Sequence, residues 1–157
     1  MIIHKNIIDV PKVEIRPITM EAAIEVASNL LPADRREVEE GHGYDVDSYL
    51  AAEAVEGNSV YFTMPNGKTA GMAGVGEDGC IWMLCTPVIY DYPIAFVKGA
   101  KSFVESRTEP LLWNVVDERN KVHLRLLKFL GFKFLQKISF GPNQLSFIEF
   151  CRVRTRP

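Results

Sequence analysis

The alternation of apolar and polar residues in the first third of the chain predicts one strand followed by two or three helices. Residues 13–18 alternate as they would on a strand with one buried face. Thr19 is a good helix N-cap, and the apolar residues after it recur at helical spacing until Pro32. The charged segment 32–40 predicts a short exposed helix, and residues 47–55 predict another. We interpret the acidic residues of the charged segment as a solvated helix face: Asp34, Glu37, Glu39 and Glu40.

The rest of the chain predicts further strands interrupted by two helices. The predicted elements are strands at 60–64, 69–75 and 80–85, a helix at 92–105, a strand at 110–116, a helix at 120–130, and strands at 132–139 and 145–153. The last helix is the best defined. Asn120 is a good N-cap, and Gly131 suits the left-handed residue that ends a helix. Between them, Val122, Leu126 and Leu130 form one apolar stripe.

Composition and charge exclude several classes of protein. A chain of 157 residues with 47% hydrophobic and 24% charged residues predicts a single globular domain, 1–157. A net charge of −2 and the lack of a clustered basic segment argue against a general nucleic-acid-binding protein. No apolar run approaches the roughly 20 residues that a membrane span requires. The first residues are too interrupted for a signal peptide, so we expect the protein to stay in the compartment where it is made.

The three cysteines and the charged C-terminus do not indicate a metal site or a particular partner. Cys80, Cys85 and Cys151 are irregularly spaced, which suits free thiols in a reducing compartment. Cys80 and Cys85 fall on opposite faces of a predicted strand, and no paired histidine motif occurs, so we predict no metal site. The arginines after Phe150 form a solvated tail or, alternatively, contact an acidic partner: Arg152, Arg154 and Arg156.

The segment from Pro110 to Phe134 resembles the closing half of the GNAT acyltransferase fold. It combines a buried strand, a helix that begins at Asn120, the pair Gly131-Phe132 and a returning strand. The order of the predicted elements matches that superfamily over nearly the whole chain. The resemblance implies an α/β (α+β) fold, with a mixed, mostly antiparallel sheet of six to seven strands that contains one parallel pair and is flanked by about four helices. It also implies acetyl-CoA as a possible cofactor.

The turn that should hold the cofactor's pyrophosphate departs from the family pattern. GNAT enzymes bind the pyrophosphate on backbone N–H groups of a glycine-rich loop at a helix N-terminus. The matching segment here, Thr86–Pro93, has no glycine and loses two N–H donors at Pro87 and Pro93. Asp91 places a carboxylate, which is a good cap for a helix N-terminus, where a phosphate would lie. We therefore expect weak acetyl-CoA binding or none.

The position of the usual proton donor also differs. The family commonly has a tyrosine that protonates the departing thiolate, and Leu127 occupies that position here. The family usually has a small alanine where this chain has His123, which is the candidate catalytic residue because a histidine can act as acid or base near neutral pH. The alternative is that His123 is a partly exposed helical residue without a chemical role.

By position in the GNAT groove, four residues are candidates for cofactor binding: Leu84, Thr86, Asn114 and Asn120. Asn114 has two interpretations, since its amide either binds a ligand or ties down a neighbouring strand. His42 and Tyr44, beside two glycines, are weaker candidates for the acceptor side of the groove.

Four longer strings resemble the internal virion protein A family of short-tailed bacteriophages. They lie at 79–86, 114–120, 123–132 and 141–150. The resemblance implies a phage-encoded, GNAT-like protein required for particle morphogenesis, located in the host cytoplasm and possibly in the virion, with other virion proteins as partners.

Three functions therefore remain open, and the missing glycine-rich loop and the missing tyrosine favour the first. The first is a GNAT scaffold with degenerate acetyl-CoA motifs that acts in virion assembly through protein contacts. The second is an active acetyl-CoA-dependent N-acetyltransferase that modifies a host or phage protein. The third is a module that binds CoA or another small ligand without turnover.

Overall fold

The computed structural model describes residues 12–154, and Arg156 of the C-terminal arginine group lies outside them. The strands are Glu14–Pro17 (β1), Val60–Thr63 (β2), Thr69–Val75 (β3), Ile81–Cys85 (β4), Leu111–Asp117 (β5), Lys133–Phe140 (β6) and Leu145–Val153 (β7). The α-helices are Met20–Ser28 (α1), Pro32–Arg36 (α2), Val46–Glu56 (α3), Pro93–Ser106 (α4) and Lys121–Phe129 (α5). A π-helix, Glu37–Gly41, follows α2, and a 3₁₀-helix, Pro87–Asp91, precedes α4. The predicted fold class is confirmed.

Side-chain caps define where three of the helices begin. The hydroxyl of Thr19 accepts a hydrogen bond from the N–H of Ala22 and starts α1. Asp45 accepts from Ser48 N and starts α3, so this helix begins just before the predicted position. The side-chain oxygen of Asn120 accepts from His123 N and starts α5, as predicted.

The seven strands form two antiparallel sheets, with strand orders β1-β2-β3-β4 and β5-β7-β6. The two sheets meet at one parallel bridge between Cys80 and Trp113, where Trp113 N donates to Gly79 O at 3.0 Å. Beyond this bridge β4 and β5 diverge. The predicted single parallel pair is therefore present only where β4 and β5 begin, and a cleft separates the two strands further along.

The helices cover both faces of the first sheet. Helices α1 and α3 pack on one face around Val26, Leu50 and Met72, all fully buried. Helices α4 and α5 pack on the other face, where Leu126 is 6% exposed in a cluster with Phe62 and Phe96. The predicted stripe of α5 is confirmed, because Val122 and Leu130 pack against the same cluster. Gly131 follows with φ of +86°, the left-handed conformation that ends the helix.

Candidate functional site

A cavity of about 310 Å³ lies between the diverging strands β4 and β5, and we call it the β4–β5 cavity. Most of its wall is apolar and comes from the two strands and from helices α4 and α5. A volume near the lower end of the usual ligand-pocket range and a mainly apolar wall with a few polar groups are typical of small-molecule sites. Its polar lining residues are Glu37, His42, Tyr44, Tyr49, Asn114 and His123.

The side chain of Asn114 spans the cleft at its narrow end. Its Nδ2 donates to the carbonyl oxygen of Ile81 on β4 at 2.7 Å. Its Oδ1 accepts from the N–H of Val115 on its own strand, also at 2.7 Å. The amide therefore holds the two sheets together where no backbone pairing joins them. This supports the interpretation that Asn114 ties down a neighbouring strand, although the residue also lines the cavity.

Further along the cleft, backbone groups of β4 point away from β3. Thr86 N donates to Ala70 O at one end of the β3–β4 ladder, and Gly76 N donates to Cys80 O at the other end. The even-numbered residues of β4 therefore form the hydrogen-bonded pairs with β3. The odd-numbered residues of β4 consequently direct their N–H and C=O groups towards β5. Cys85 N is taken by Asp34 Oδ2 at 2.7 Å. The backbone N–H and C=O groups of Met83 have no hydrogen-bond partner within residues 12–154.

A group of polar side chains, four of them buried and Glu37 half-buried, closes the wide end of the cleft. We call this group the buried polar cluster, and it comprises Asp34, Glu37, Cys85, Asn120 and His123. Nδ2 of Asn120 donates to Asp34 Oδ1 at 2.9 Å and to Glu37 Oε1 at 3.3 Å. Glu37 Oε1 also accepts from the backbone N–H of Asp117 at 2.9 Å. The cluster therefore joins α2, the π-helix and the end of β4 to the end of β5 and the start of α5.

Glu37 is the only carboxylate that lines the β4–β5 cavity among the described residues. Burial raises its pKa to about 7, and the negative charge of Asp34 acts in the same direction. Glu37 is the first residue of the π-helix, and irregular turns of this kind occur often at functional sites. A carboxyl group with this pKa can gain and lose a proton near neutral pH.

His123 and Asp34 form a buried pair of opposite charge. Nε2 of His123 lies 3.3 Å from Asp34 Oδ1, but the direction of its N–H does not give a hydrogen bond. Burial opposes protonation of His123, but Asp34 and Cys85 together outweigh burial, so the pKa of His123 lies well above its usual value. Burial likewise opposes ionisation of Asp34. The charge of His123 and the hydrogen bonds from Cys85 N and Asn120 nevertheless hold the pKa of Asp34 below its ordinary value.

Solved structures with a similar fold are GNAT acetyltransferases. A GNAT-family acetyltransferase from Bacillus cereus ATCC 10987 superposes with a TM-score of 0.65 at 13% identity, covering 92% of this chain and 99% of that chain. One from Bacillus anthracis gives 0.66 at 8% identity, covering 90% and 95%. The aminoglycoside acetyltransferase AAC(6')-Ib in complex with coenzyme A gives 0.62 at 15% identity, covering 91% and 95%.

The chain has the GNAT fold. No protein-family model and no curated protein matches the sequence. Within residues 12–154, none of the helices has the length and apolar character required to cross a membrane. At identities this low, the likeness concerns the fold and not the activity.

Some of the predicted site residues line the cavity, and others lie outside it. Leu84, Asn114 and His123 line the β4–β5 cavity. Thr86 and Asn120 are each 1% exposed and lie behind the wall. The hydroxyl of Thr86 donates to Thr69 O at 3.0 Å, so it is satisfied by the protein itself. The weaker candidates, His42 and Tyr44, also line the cavity, with their rings stacked 5.8 Å apart.

The turn that replaces the glycine-rich GNAT loop is the 3₁₀-helix Pro87–Asp91. Asp91 is exposed and does not cap α4, because the N-cap is Tyr92 and its side chain makes no capping hydrogen bond. The sequence interpretation of Asp91 as a good cap was therefore wrong. The first backbone hydrogen bond of α4 runs from Phe96 N to Tyr92 O. The amides of Ile94 and Ala95 come before it and therefore have no partner within the helix.

The interpretation of the acidic segment as a solvated face is confirmed for Glu39 and Glu40, which are exposed, but was wrong for Asp34 and Glu37. Asp34 is fully buried, and Glu37 reaches into the cavity wall instead of facing solvent. Cys85, expected only as a free thiol, lies fully buried in the same cluster. One signal was available, because Asp34 and Glu37 are one helical turn apart and share the face that carries the buried Val38. Nothing in the local sequence indicates their hydrogen-bond partners, which lie 51 to 86 residues away.

Proposed function

We propose that the protein is an acetyl-CoA-dependent N-acetyltransferase, with the thioester in the β4–β5 cavity and Glu37 as the general base. The observation that carries the proposal is a carboxyl group with a pKa of about 7 in the wall of this cavity. The fold supports the choice of cofactor, since a similar structure was solved in complex with coenzyme A.

Glu37 supplies the proton transfer that the reaction requires. An amine is mostly an ammonium ion at neutral pH and attacks only after it loses a proton. The carboxylate of Glu37 accepts that proton, the nitrogen bonds to the carbonyl carbon, and the carbon–sulfur bond breaks. The thiolate leaves, and the second proton that the nitrogen loses as it becomes an amide passes through water to the sulfur and gives CoA. The positive charge of His123 at the cavity wall stabilises the oxyanion that forms on the way.

The first turn of α4 provides the remaining anion-binding groups. The amides of Ile94 and Ala95, which precede the first hydrogen bond of the helix, and the positive end of the helix dipole favour a phosphate at this position. Pro87 and Pro93 provide no N–H, and Asp91 repels a phosphate. We therefore expect acetyl-CoA to bind, but more weakly than a glycine-rich loop would allow.

The experiment compares wild-type protein with Glu37→Gln, using Glu39→Gln as the matched control from the same π-helix. Thiol release from acetyl-CoA is measured with a panel of primary amines and basic peptides, and acetyl-CoA binding is measured by calorimetry. We expect Glu37→Gln to bind acetyl-CoA within about twofold of wild type and to lose about 10²–10⁴-fold in transfer rate. Glu39→Gln should retain full activity. Equal activity of the two variants would exclude Glu37 as the base.

The structure of the cofactor turn favours a second candidate function. The 3₁₀-helix with its two flanking prolines is a poor pyrophosphate site, and the chain resembles internal virion protein A in four segments. In this alternative the GNAT domain acts without catalysis in virion assembly, in the host cytoplasm and the particle, through contacts with other virion proteins.

Complementation of a phage that lacks this protein distinguishes the two candidates. If Glu37→Gln restores the yield of infectious particles to the wild-type level, assembly does not require acetyl transfer. If Glu37→Gln fails while Glu39→Gln succeeds, with both proteins folded and soluble, the particle depends on the chemistry of Glu37.

A further inference from the structure

We infer that Asp34, Cys85 and His123 form a binding site for a divalent metal ion of the zinc type. Each residue offers one ligand atom, and the three atoms lie within 4.8 Å of one another. This inference does not depend on acetyl transfer, since it rests only on the three side chains and their surroundings.

The donor set suits zinc. A carboxylate oxygen, an imidazole nitrogen and a thiolate sulfur are the ligands that zinc takes most often, at about 2.0–2.3 Å. Tetrahedral bonds of that length place ligand atoms roughly 3.3–3.8 Å apart. Nε2 of His123 and Oδ1 of Asp34 already have this separation, at 3.3 Å. Small side-chain movements would bring the sulfur of Cys85 to the same distance.

The imidazole of His123 provides an independent indication. Its Nε2 is buried and lies 3.3 Å from Asp34 Oδ1, but the geometry gives no hydrogen bond, and the whole residue is only 9% exposed. Buried polar atoms almost always form hydrogen bonds, so a buried nitrogen without one needs an explanation, and a bound ion is one of the usual ones. A metal ion between Asp34, Cys85 and His123 would satisfy it.

The surroundings resemble the outer shell of a metal site. The carboxylate of Asp34 is oriented by Cys85 N at 2.7 Å and by Asn120 Nδ2 at 2.9 Å. Ligating carboxylates are commonly held by such hydrogen bonds, which fix the direction of their lone pairs. The three ligands come from α2, the end of β4 and α5, so a metal ion would join the elements that border the wide end of the cleft.

Access is from the β4–β5 cavity, because His123 and Glu37 both line its wall. Three protein ligands leave one position of a tetrahedral ion, which a water molecule from the cavity can occupy. Binding displaces the proton of the Cys85 thiol, whose pKa burial raises to about 11 in the metal-free protein. With the ion bound, His123 is a ligand, and the positive charge at this wall comes from the metal.

The test uses Co²⁺ as a spectroscopic probe on the full-length protein, stripped of metal with a chelator. We expect wild type to develop the near-ultraviolet band of a cobalt–thiolate bond and to lose it when Zn²⁺ is added. Cys85→Ser should abolish the band. Cys80→Ala and Cys151→Ala should keep it, because neither thiol belongs to the site.

Two further variants test the other ligands. Asp34→Asn and His123→Gln should each weaken Zn²⁺ binding at least ~10-fold, and circular dichroism checks that they fold. The inference is wrong if wild type gives no thiolate band at millimolar Co²⁺, or if Cys85→Ser gives the same band as wild type. Protein purified without chelator should contain close to one zinc per chain.

Discussion

Gly141 packs directly against the carbonyl oxygen of Gly41, leaving no space for a Cβ atom. Gly41 ends the π-helix that carries Glu37, and Gly141 begins the turn between β6 and β7. Asn143 in the same turn donates to Glu40 O at 2.9 Å. The turn at one end of the second sheet therefore supports the segment that positions the candidate base.

Replacement of Gly141 by alanine should destabilise the protein more than its backbone conformation alone explains. Gly141 and Gly67 both have positive φ, at +74° and +81°, but a Cβ on Gly67 meets nothing within 4 Å. We expect Gly67→Ala to cost about 1–2 kcal/mol and Gly141→Ala at least about 3 kcal/mol. Urea denaturation followed by circular dichroism measures both. Equal costs would mean that the contact with Gly41 relaxes freely.

Leu126→Ala should destabilise the protein by about 2–5 kcal/mol, the usual cost of emptying a buried leucine site. Leu126 is 6% exposed, whereas Leu135 is 59% exposed on β6 and serves as the control. Leu135→Ala should change the free energy of unfolding by less than about 0.5 kcal/mol. A cost below about 1 kcal/mol for Leu126→Ala would mean that α5 does not depend on this contact.

Glu37 should make the protein less stable as the pH rises towards neutrality. The folded protein holds the proton of Glu37 more tightly than the unfolded chain does, since the pKa is about 7 instead of 4.5. Wild type should therefore lose about 2–3 kcal/mol relative to Glu37→Gln between pH 4.5 and pH 7.5. Denaturation curves of both proteins at several pH values measure this difference. A difference that stays constant over the range would show that Glu37 titrates normally.

Asp34→Asn should cost about 3–5 kcal/mol in chelator-treated protein, because it leaves the charge of His123 buried without a partner. Asp47→Asn, at an exposed position of α3, is the control. The double variant with His123→Gln should recover part of the loss, since it removes the isolated charge. No recovery in the double variant would show that the two residues are not coupled.

Asp91→Gly should strengthen acetyl-CoA binding by about 2–10-fold at low salt, because it removes a negative charge beside the first turn of α4. Glu77→Gly is the matched control, as Glu77 is an exposed acidic turn residue between β3 and β4. Calorimetry at two ionic strengths measures both, and the gain should shrink at high salt. No gain at low salt would mean that the phosphates bind away from this turn.

The sequence predicted the elements whose signals are local. Asn120, the stripe through Leu126 and Gly131 lie close together in the chain, so α5 could be recognised from spacing alone. The buried polar cluster could not be recognised in this way. The sequence of the charged segment around Asp34 and Glu37 is compatible with a solvent-exposed helix and with a buried one. Which of the two forms depends on residues far away in the chain, such as Asn120. For the same reason the prediction that Asp91 caps α4 was wrong. The 3₁₀-helix, which leaves Tyr92 and not Asp91 at the N-cap, depends on tertiary packing.

Among residues 12–154 the N–H and C=O groups of Met83 have no hydrogen-bond partner, so the described part of the protein contains the edge of a β-sheet in its interior. A sheet edge presents alternating donors and acceptors, which attract another extended backbone. Here the edge opens only to the cleft, with the bridging amide of Asn114 at one end and the buried polar cluster at the other. A linear molecule that carries its own amide groups can lie along it and complete the hydrogen bonding as an additional strand would. An alkyl chain of the same length would leave both groups of Met83 unsatisfied, so the cleft selects against a purely hydrocarbon occupant.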